Sequence, residues 1–279
     1  MRYHEAMVSD GEQCRPELTY RRSEVFTLMA DTPNPRRFAQ AVEITTATYD
    51  QVARNYAERH EEMPPHWAER MDEFVDLLAA ALADHPLPDW GRPGDDCTLE
   101  EYLQFVPVLD AGCGPGRDTR ALAAHGLPVL GVDLSQGMLD EAGERTARRL
   151  PRGFIRYALM DLRRLELPDA SCRGVWCSAS LLHIPRQTAP RAVAELARVS
   201  RAGAPIVVFL KRQQGAEQEE FQHYQFSDAG DARRFFAYYT PEEARQLLED
   251  AGLAILDQAS VPGDSPSAPE WISLVARKL

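Results

Sequence analysis

The stretch VLDAGCGPGRDTRALAAHGLPVLGVD, residues 108–133, decides the fold of this chain. An apolar run from Phe105 to Leu109 ends in an acid, Asp110, and passes into glycines at 112, 114 and 116. Residues Arg117 to His125 have the pattern of a helix closed by Gly126, and a second apolar run, Pro128 to Val132, ends in a second acid, Asp133. Strand, tight turn, helix and strand with a glycine-rich first turn is the layout of a nucleotide-binding crossover. The glycines let the backbone turn sharply and leave no Cβ where a ligand must come close. An acid at the tip of the second strand is placed to accept hydrogen bonds from ribose hydroxyls.

Spacing narrows the nucleotide. A dinucleotide fingerprint counted from Gly112 requires glycine at 117, which is arginine. A phosphate-cradling loop requires a following lysine, and the only lysines are Lys211 and Lys278. What stands here is D-x-G-x-G-x-G, and an acid before the turn suits a cationic or hydrogen-donating ligand and repels a pyrophosphate. Residues 154 to 160 and 174 to 177 read as two further strands, the first ending in Asp161. Asp110, Asp133 and Asp161 therefore close three strands along one sheet edge, where open α/β sheets bind ligands.

The motif resembles the first motif of the class I S-adenosylmethionine-dependent methyltransferases. That resemblance implies S-adenosyl-L-methionine as methyl donor and S-adenosyl-L-homocysteine as product. It places Asp110, Gly112, Cys113, Gly114 and Gly116 around the donor, with Arg117 at the helix N-terminus facing its methionine carboxylate or making a surface ion pair. Asp133 and Leu134 follow the second strand, and Met138, in a helix opened by Ser135, packs on the adenine or in the core. Asp161 would accept from the adenine amino group while the Leu162 N–H meets the ring. The segment after the fourth strand, SASLLHIP, is similar to bacterial relatives in which the backbone at Cys177 and Ser178 takes the methionine ammonium. His183 in that segment is the candidate catalytic base, or a histidine that shapes the pocket. The Y-D-x-x-A-x-x-Y run, Tyr49 to Tyr56, resembles the helix before the core, with Tyr56 reaching the donor.

The implied fold is α/β: a Rossmann-like, seven-stranded, mostly parallel sheet with an antiparallel C-terminal strand, helices on both faces and an N-terminal helical extension. Leu253 to Ala259 and Trp271 to Ala276 supply the closing strand pair. Three parts are expected: an N-terminal arm over 1–42, flexible or exchanged between subunits of a homo-oligomer, with one amphipathic helix over Leu18–Ala30; helices and a loop over 43–104; and the core over 105–279. Within the core, 211–239 forms an aromatic-rich lid. Tyr49, His183, Phe221, Tyr224, Phe236 and Tyr239 are the candidate acceptor-binding residues.

Composition limits the partner. A formal charge of −12 over 279 residues argues against a large nucleic-acid footprint. No apolar run approaches membrane-spanning length. Five scattered cysteines read as free thiols in a reducing cytoplasm, and no metal-ligand spacing stands out. The expected activity is methyl transfer to oxygen, nitrogen or carbon of a small molecule, such as a specialised metabolite. A tRNA-base methyltransferase and a donor-binding module without catalysis are the alternatives.

Overall fold

The computed structural model describes residues 35–84, 97–148, 154–224, 232–263 and 270–279. In chain order these form α1 (Pro35–Arg59), α2 (Pro65–Asp84), α3 (Leu99–Leu103), β1 (Val108–Ala111), α4 (Arg117–Ala124), β2 (Val129–Asp133), α5 (Gln136–Ala147), β3 (Ile155–Leu159), β4 (Gly174–Ser178), a 3-10 turn (Leu181–His183), α6 (Ala189–Val199), β5 (Pro205–Lys211), β6 (Glu219–His223), β7 (Arg233–Ala237), α7 (Pro241–Glu249), β8 (Leu253–Val261) and β9 (Trp271–Lys278). Helix α1 starts at Pro35, so the boundary expected at 42 falls inside it. The helix expected over Leu18–Ala30, and any exchange of that arm, lie outside the described residues.

The main sheet has seven strands in the order β3-β2-β1-β4-β5-β9-β8. Strands β1 to β5 run parallel, and β9 is antiparallel to both its neighbours, as the closing pair in the sequence requires. Side chains alternate across the pleat. Leu109, Ala111, Val175, Cys177 and Val208 pack on one face with Tyr102 of α3 and Leu196 of α6. Val108, Trp176, Val207 and Phe209 pack on the other with Phe74 and Leu78 of α2 and Leu122 of α4. Strand order reverses between β1 and β4, and that crevice at the carboxyl ends of the strands is where such sheets bind ligands.

Helix α1 crosses this edge and joins two parts of the molecule. On one side, Thr48 Oγ1 donates to the Arg233 carbonyl at 2.6 Å and accepts from the Arg233 N–H at 3.1 Å. Thr45 Oγ1 accepts from the Phe235 N–H at 2.9 Å. One turn apart on the helix, the two hydroxyls satisfy the open edge of β7, whose other edge pairs with β6 in a separate two-stranded sheet. The lid expected over 211–239 thus contains this small sheet docked on α1. On the other side, Asp50 accepts from Ser135 Oγ at 2.7 Å and from the Gly137 N–H at 3.0 Å, at the start of α5. The approach is so close that a Cβ at position 137 would lie 2.7 Å from the Asp50 carbonyl oxygen. Replacing Asp50 with alanine leaves a first-turn N–H of α5 without its acceptor, and the expected result is a loss of about 1 kcal/mol in a denaturant titration.

Candidate active site

A cavity opens at the carboxyl ends of β1 to β4, covered by α1, with about 1100 Å³ of space counting its open mouth. Its floor is the glycine turn. Gly112 has φ +76°, and a Cβ there would stand 2.2 Å from the Ser180 Cβ. The Ser180 hydroxyl donates to the Ala111 carbonyl at 2.7 Å and so ties the segment after β4 to the turn after β1. Ala179, just before it, has φ +54°, a left-handed conformation costly for a residue with a Cβ and held here at the cavity wall.

Each of the three strand-end acids lines the cavity, in a different setting. Asp133 accepts the Gly114 N–H on one carboxylate oxygen and the Ser135 N–H on the other, both at 2.9 Å. These fix its orientation and leave acceptor capacity on each oxygen. Asp110 accepts from the Thr119 hydroxyl at 2.5 Å, deep in the sheet edge. Burial first, and the nearby charge of Asp118 next, raise its pKa above the usual carboxylate range. A cation bound beside it would relieve both. Asp161 is held by its own loop: it takes the Arg163 backbone N–H at 2.9 Å and a forked contact from the Arg163 guanidinium, the shorter arm at 2.5 Å. Arg163 Nη1 is buried at the cavity without a hydrogen-bond partner, a donor that an adenine edge would satisfy.

Most of the expected donor-site residues converge. Tyr56, Gly112, Cys113, Gly114, Arg117, Leu134, Met138, Leu162 and Ser178 all line the cavity. Arg117 Nε donates to Asp118 at 2.6 Å, and Asp118 also accepts from Trp176 Nε1 at 2.8 Å. Ser178 Oγ accepts from Trp67 Nε1 at 2.7 Å. Two residues stand back. Gly116 forms the left-handed start of α4 beneath Tyr157. The Cys177 side chain is fully buried against Ser180, because the pleat turns residue 177 into the core.

On the acceptor side, Tyr49 and His183 line the cavity, whereas Phe221, Tyr224, Phe236 and Tyr239 do not. Phe221, Phe236 and Tyr239 pack with the sheet core, Tyr239 under the Arg186 guanidinium at 4.6 Å, and Tyr224 closes a small cluster with Val52, Tyr49 and Tyr56. Phe221 and Phe236 lie on β6 and β7 on opposite faces of the small sheet, and Tyr224 and Tyr239 follow those strands.

His183 is engaged at both nitrogens. Nδ1 lies 2.7 Å from the Phe235 carbonyl, which can only accept, so Nδ1 carries the proton. Nε2 then accepts from the Tyr49 hydroxyl at 2.7 Å, and that hydroxyl accepts from Arg234 Nη1 at 3.3 Å. Burial, and then the charge of Arg234, hold the His183 pKa down at about 3. The folded protein keeps the ring neutral while the unfolded chain protonates it below about 6.5. Stability from this group is therefore full above about 6.5 and is lost as pH falls toward 3. The expected result is a denaturation midpoint that drops less steeply between pH 6.5 and 4 in His183→Gln than in the wild type.

Sequence reasoning missed Thr45, His60, Asp118, Arg163 and Ser180, which also line the cavity. Asp118 and Arg163 each follow an expected site residue by one, so their positions held the signal; the others needed the packing of α1 and the β4 turn. Among the described residues no group of histidine, cysteine, aspartate and glutamate stands close enough to hold a metal ion. No helix among them is long and apolar enough to cross a membrane.

Sheet order, glycine turn and strand-end acids together define a class I S-adenosylmethionine-dependent methyltransferase fold. Comparison with known proteins agrees: residues 108–203 match the model of the methyltransferase domain family (Methyltransf_25), and the chain carries a domain of that kind. It is 26% identical over 180 residues to the O-methyltransferase cnsE of Penicillium expansum, covering 60% of this chain and 61% of that one. It is 38% identical over 112 residues to the malonyl-[acyl-carrier protein] O-methyltransferase of Serratia marcescens, covering 40% of each. The chain spans about half the length of the curated relatives it matches. The magnesium protoporphyrin IX methyltransferase of Synechocystis PCC 6803, solved with bound S-adenosylmethionine, superposes with a TM-score of 0.57 at 18% identity, covering 86% of this chain and 97% of that one. At that identity the likeness is one of fold.

Proposed function

We propose that this protein transfers the methyl group of S-adenosylmethionine to a small-molecule acceptor. The observation that carries the proposal is Asp133, pinned by two loop N–H groups at the tip of β2 with acceptor capacity turned to the cavity. The residues around it fit the donor. Asp133 would take the ribose hydroxyls, Met138 and Leu162 the adenine, and buried Asp110 the cationic methionine end. When bound, the donor supplies a methyl carbon already activated by its sulfonium, so the protein contributes chiefly alignment and exclusion of water. Helix α1, with Tyr49 and Tyr56, roofs the reacting ends.

Two of the relatives described above are named O-methyltransferases, which favours oxygen as the accepting atom. The charge of −12 favours a small acceptor over a nucleic acid. Free thiols at Cys97, Cys113, Cys172 and Cys177 suit a cytoplasmic setting.

Calorimetry with S-adenosylmethionine, S-adenosylhomocysteine and NAD tests the donor. Both sulfur compounds are expected to bind in the micromolar range, roughly −8 kcal/mol, and NAD to give no heat. Binding of NAD without binding of S-adenosylmethionine would overturn the proposal.

A further inference from the structure

We propose that the methyl acceptor is a neutral hydroxyl compound that donates its O–H to the Tyr49 oxygen in the cavity wall. This deepens the methyl-transfer proposal and rests on it. Tyr49 and His183 line the same cavity as the glycine turn, Asp133 and Met138, so a ligand at that oxygen lies on the donor's side of the wall. One carbonyl settles the direction of the protons here. The Phe235 carbonyl can only accept, at 2.7 Å, so His183 Nδ1 donates to it and Nε2 is left as an acceptor. Tyr49 therefore donates its own proton to Nε2, also at 2.7 Å. What the Tyr49 oxygen has left is acceptor capacity alone. Arg234 Nη1 donates to it at a long 3.3 Å, and among the described residues it makes no further hydrogen bond. Burial raises the Tyr49 pKa, so the hydroxyl stays protonated. A ligand atom that meets this oxygen must bring a proton.

Charge on the cavity wall points to a neutral partner. Its aspartates and arginines are Asp110, Arg117, Asp118, Asp133, Asp161 and Arg163. Both arginines are ion-paired, Arg117 with Asp118 and Arg163 with Asp161, which leaves no unpaired cation on the wall to receive an anion. An anionic oxygen at Tyr49 would also set lone pair against lone pair. A cation there would approach the Arg234 guanidinium, whose Cζ lies 5.7 Å from the centre of the Tyr49 ring. The rings of Tyr49 and Tyr56, edge to face at 5.5 Å, suit an aromatic or apolar body behind the hydroxyl.

The same junction gives the proton a path. The acceptor oxygen forms the new bond to the methyl carbon, and the carbon–sulfur bond breaks with its electron pair remaining on sulfur. The acceptor's proton passes to the Tyr49 oxygen as the Tyr49 proton passes to His183 Nε2. The positive charge of the sulfonium thus ends on the imidazolium. Burial, then the charge of Arg234, hold the His183 pKa at about 3, too low to ionise a hydroxyl beforehand. A methylated oxygen that still carries its proton is a far stronger acid than an imidazolium, so the proton moves once the methyl group is in flight.

Calorimetry on the full chain with saturating S-adenosylhomocysteine, titrating phenol, benzyl alcohol and cyclohexanol against their methyl ethers, tests this. At least one hydroxyl compound is expected to bind ten times more tightly than its ether. Tyr49→Phe is expected to weaken that compound tenfold and to leave the ether unchanged. His183→Leu is expected to abolish the preference, because the Tyr49 proton is then free to turn toward an ether oxygen; a histidine that merely fills space would leave the preference intact. The inference is overturned if no hydroxyl compound binds more tightly than its ether, or if either variant that still binds S-adenosylhomocysteine keeps the wild-type preference. Failure of S-adenosylhomocysteine itself to bind would instead bring down the methyl-transfer proposal beneath it.

Discussion

Asp133→Asn is expected to weaken S-adenosylhomocysteine binding at least tenfold, about 1.4 kcal/mol. The substitution keeps the shape and changes the chemistry. Asp133 now accepts on both oxygens from the N–H groups of Gly114 and Ser135. An asparagine has one acceptor oxygen and an amide that only donates, so one of those N–H groups must face another donor. The glycine turn loses a tie to β2, and half of the edge offered to a ribose changes sign. Hydrogen bonds to charged acceptors are worth about 1.5–3 kcal/mol each, which sets tenfold as the lower bound. Calorimetry reads the effect directly, and an unchanged affinity would mean that no ribose sits at the tip of β2.

Gly112→Ala is the second large effect, and it falls on stability and ligand binding together. The residue holds φ +76°, where an alanine costs about 1–2 kcal/mol from its Cβ alone. The added methyl also meets the Ser180 Cβ at 2.2 Å, a contact between short, stiff groups that cannot be relieved by a rotamer change. Ser180 would have to move, and it is bonded to the Ala111 carbonyl and preceded by Ala179 in its own left-handed conformation. The expected result is a loss of roughly 3 kcal/mol of unfolding free energy in a denaturant titration and no measurable donor binding. In a Ser180→Gly background, which leaves no side chain to collide with, Gly112→Ala is expected to cost only the backbone's about 1–2 kcal/mol. An equal cost of Gly112→Ala in the wild-type and Ser180→Gly backgrounds would place the whole cost in the backbone.

What the sequence discloses depends on how far apart the interacting residues are in the chain. Asp110, Gly112, Asp133, Ser135 and Asp161 sit at strand ends and helix starts, where a short local pattern dictates both position and direction. The mostly parallel sheet follows from the same crossovers. The acceptor side is different. That Thr45 and Thr48 serve as hydrogen-bond partners for β7 depends on a contact between residues 185 to 190 positions apart. The aromatic set at 221–239 was legible as apolar. Which rings line the cavity was not, because that depends on how they pack against the core and against α1, and no local pattern announces it.

Tyr49 and Asp50 are consecutive residues of α1, and under the proposed function they would serve opposite halves of the reaction. One lines the wall at His183; the other caps α5, whose first turn carries the Met138 of the donor side. The His183 wall and the start of α5 are therefore geared through one turn of helix, and under the proposed function so are acceptor recognition and the donor site. A swap of α1 between related chains cannot alter acceptor preference alone. It must also bring an acid at position 50 and meet a residue without a side chain at 137, or the helix that carries the new wall will not seat.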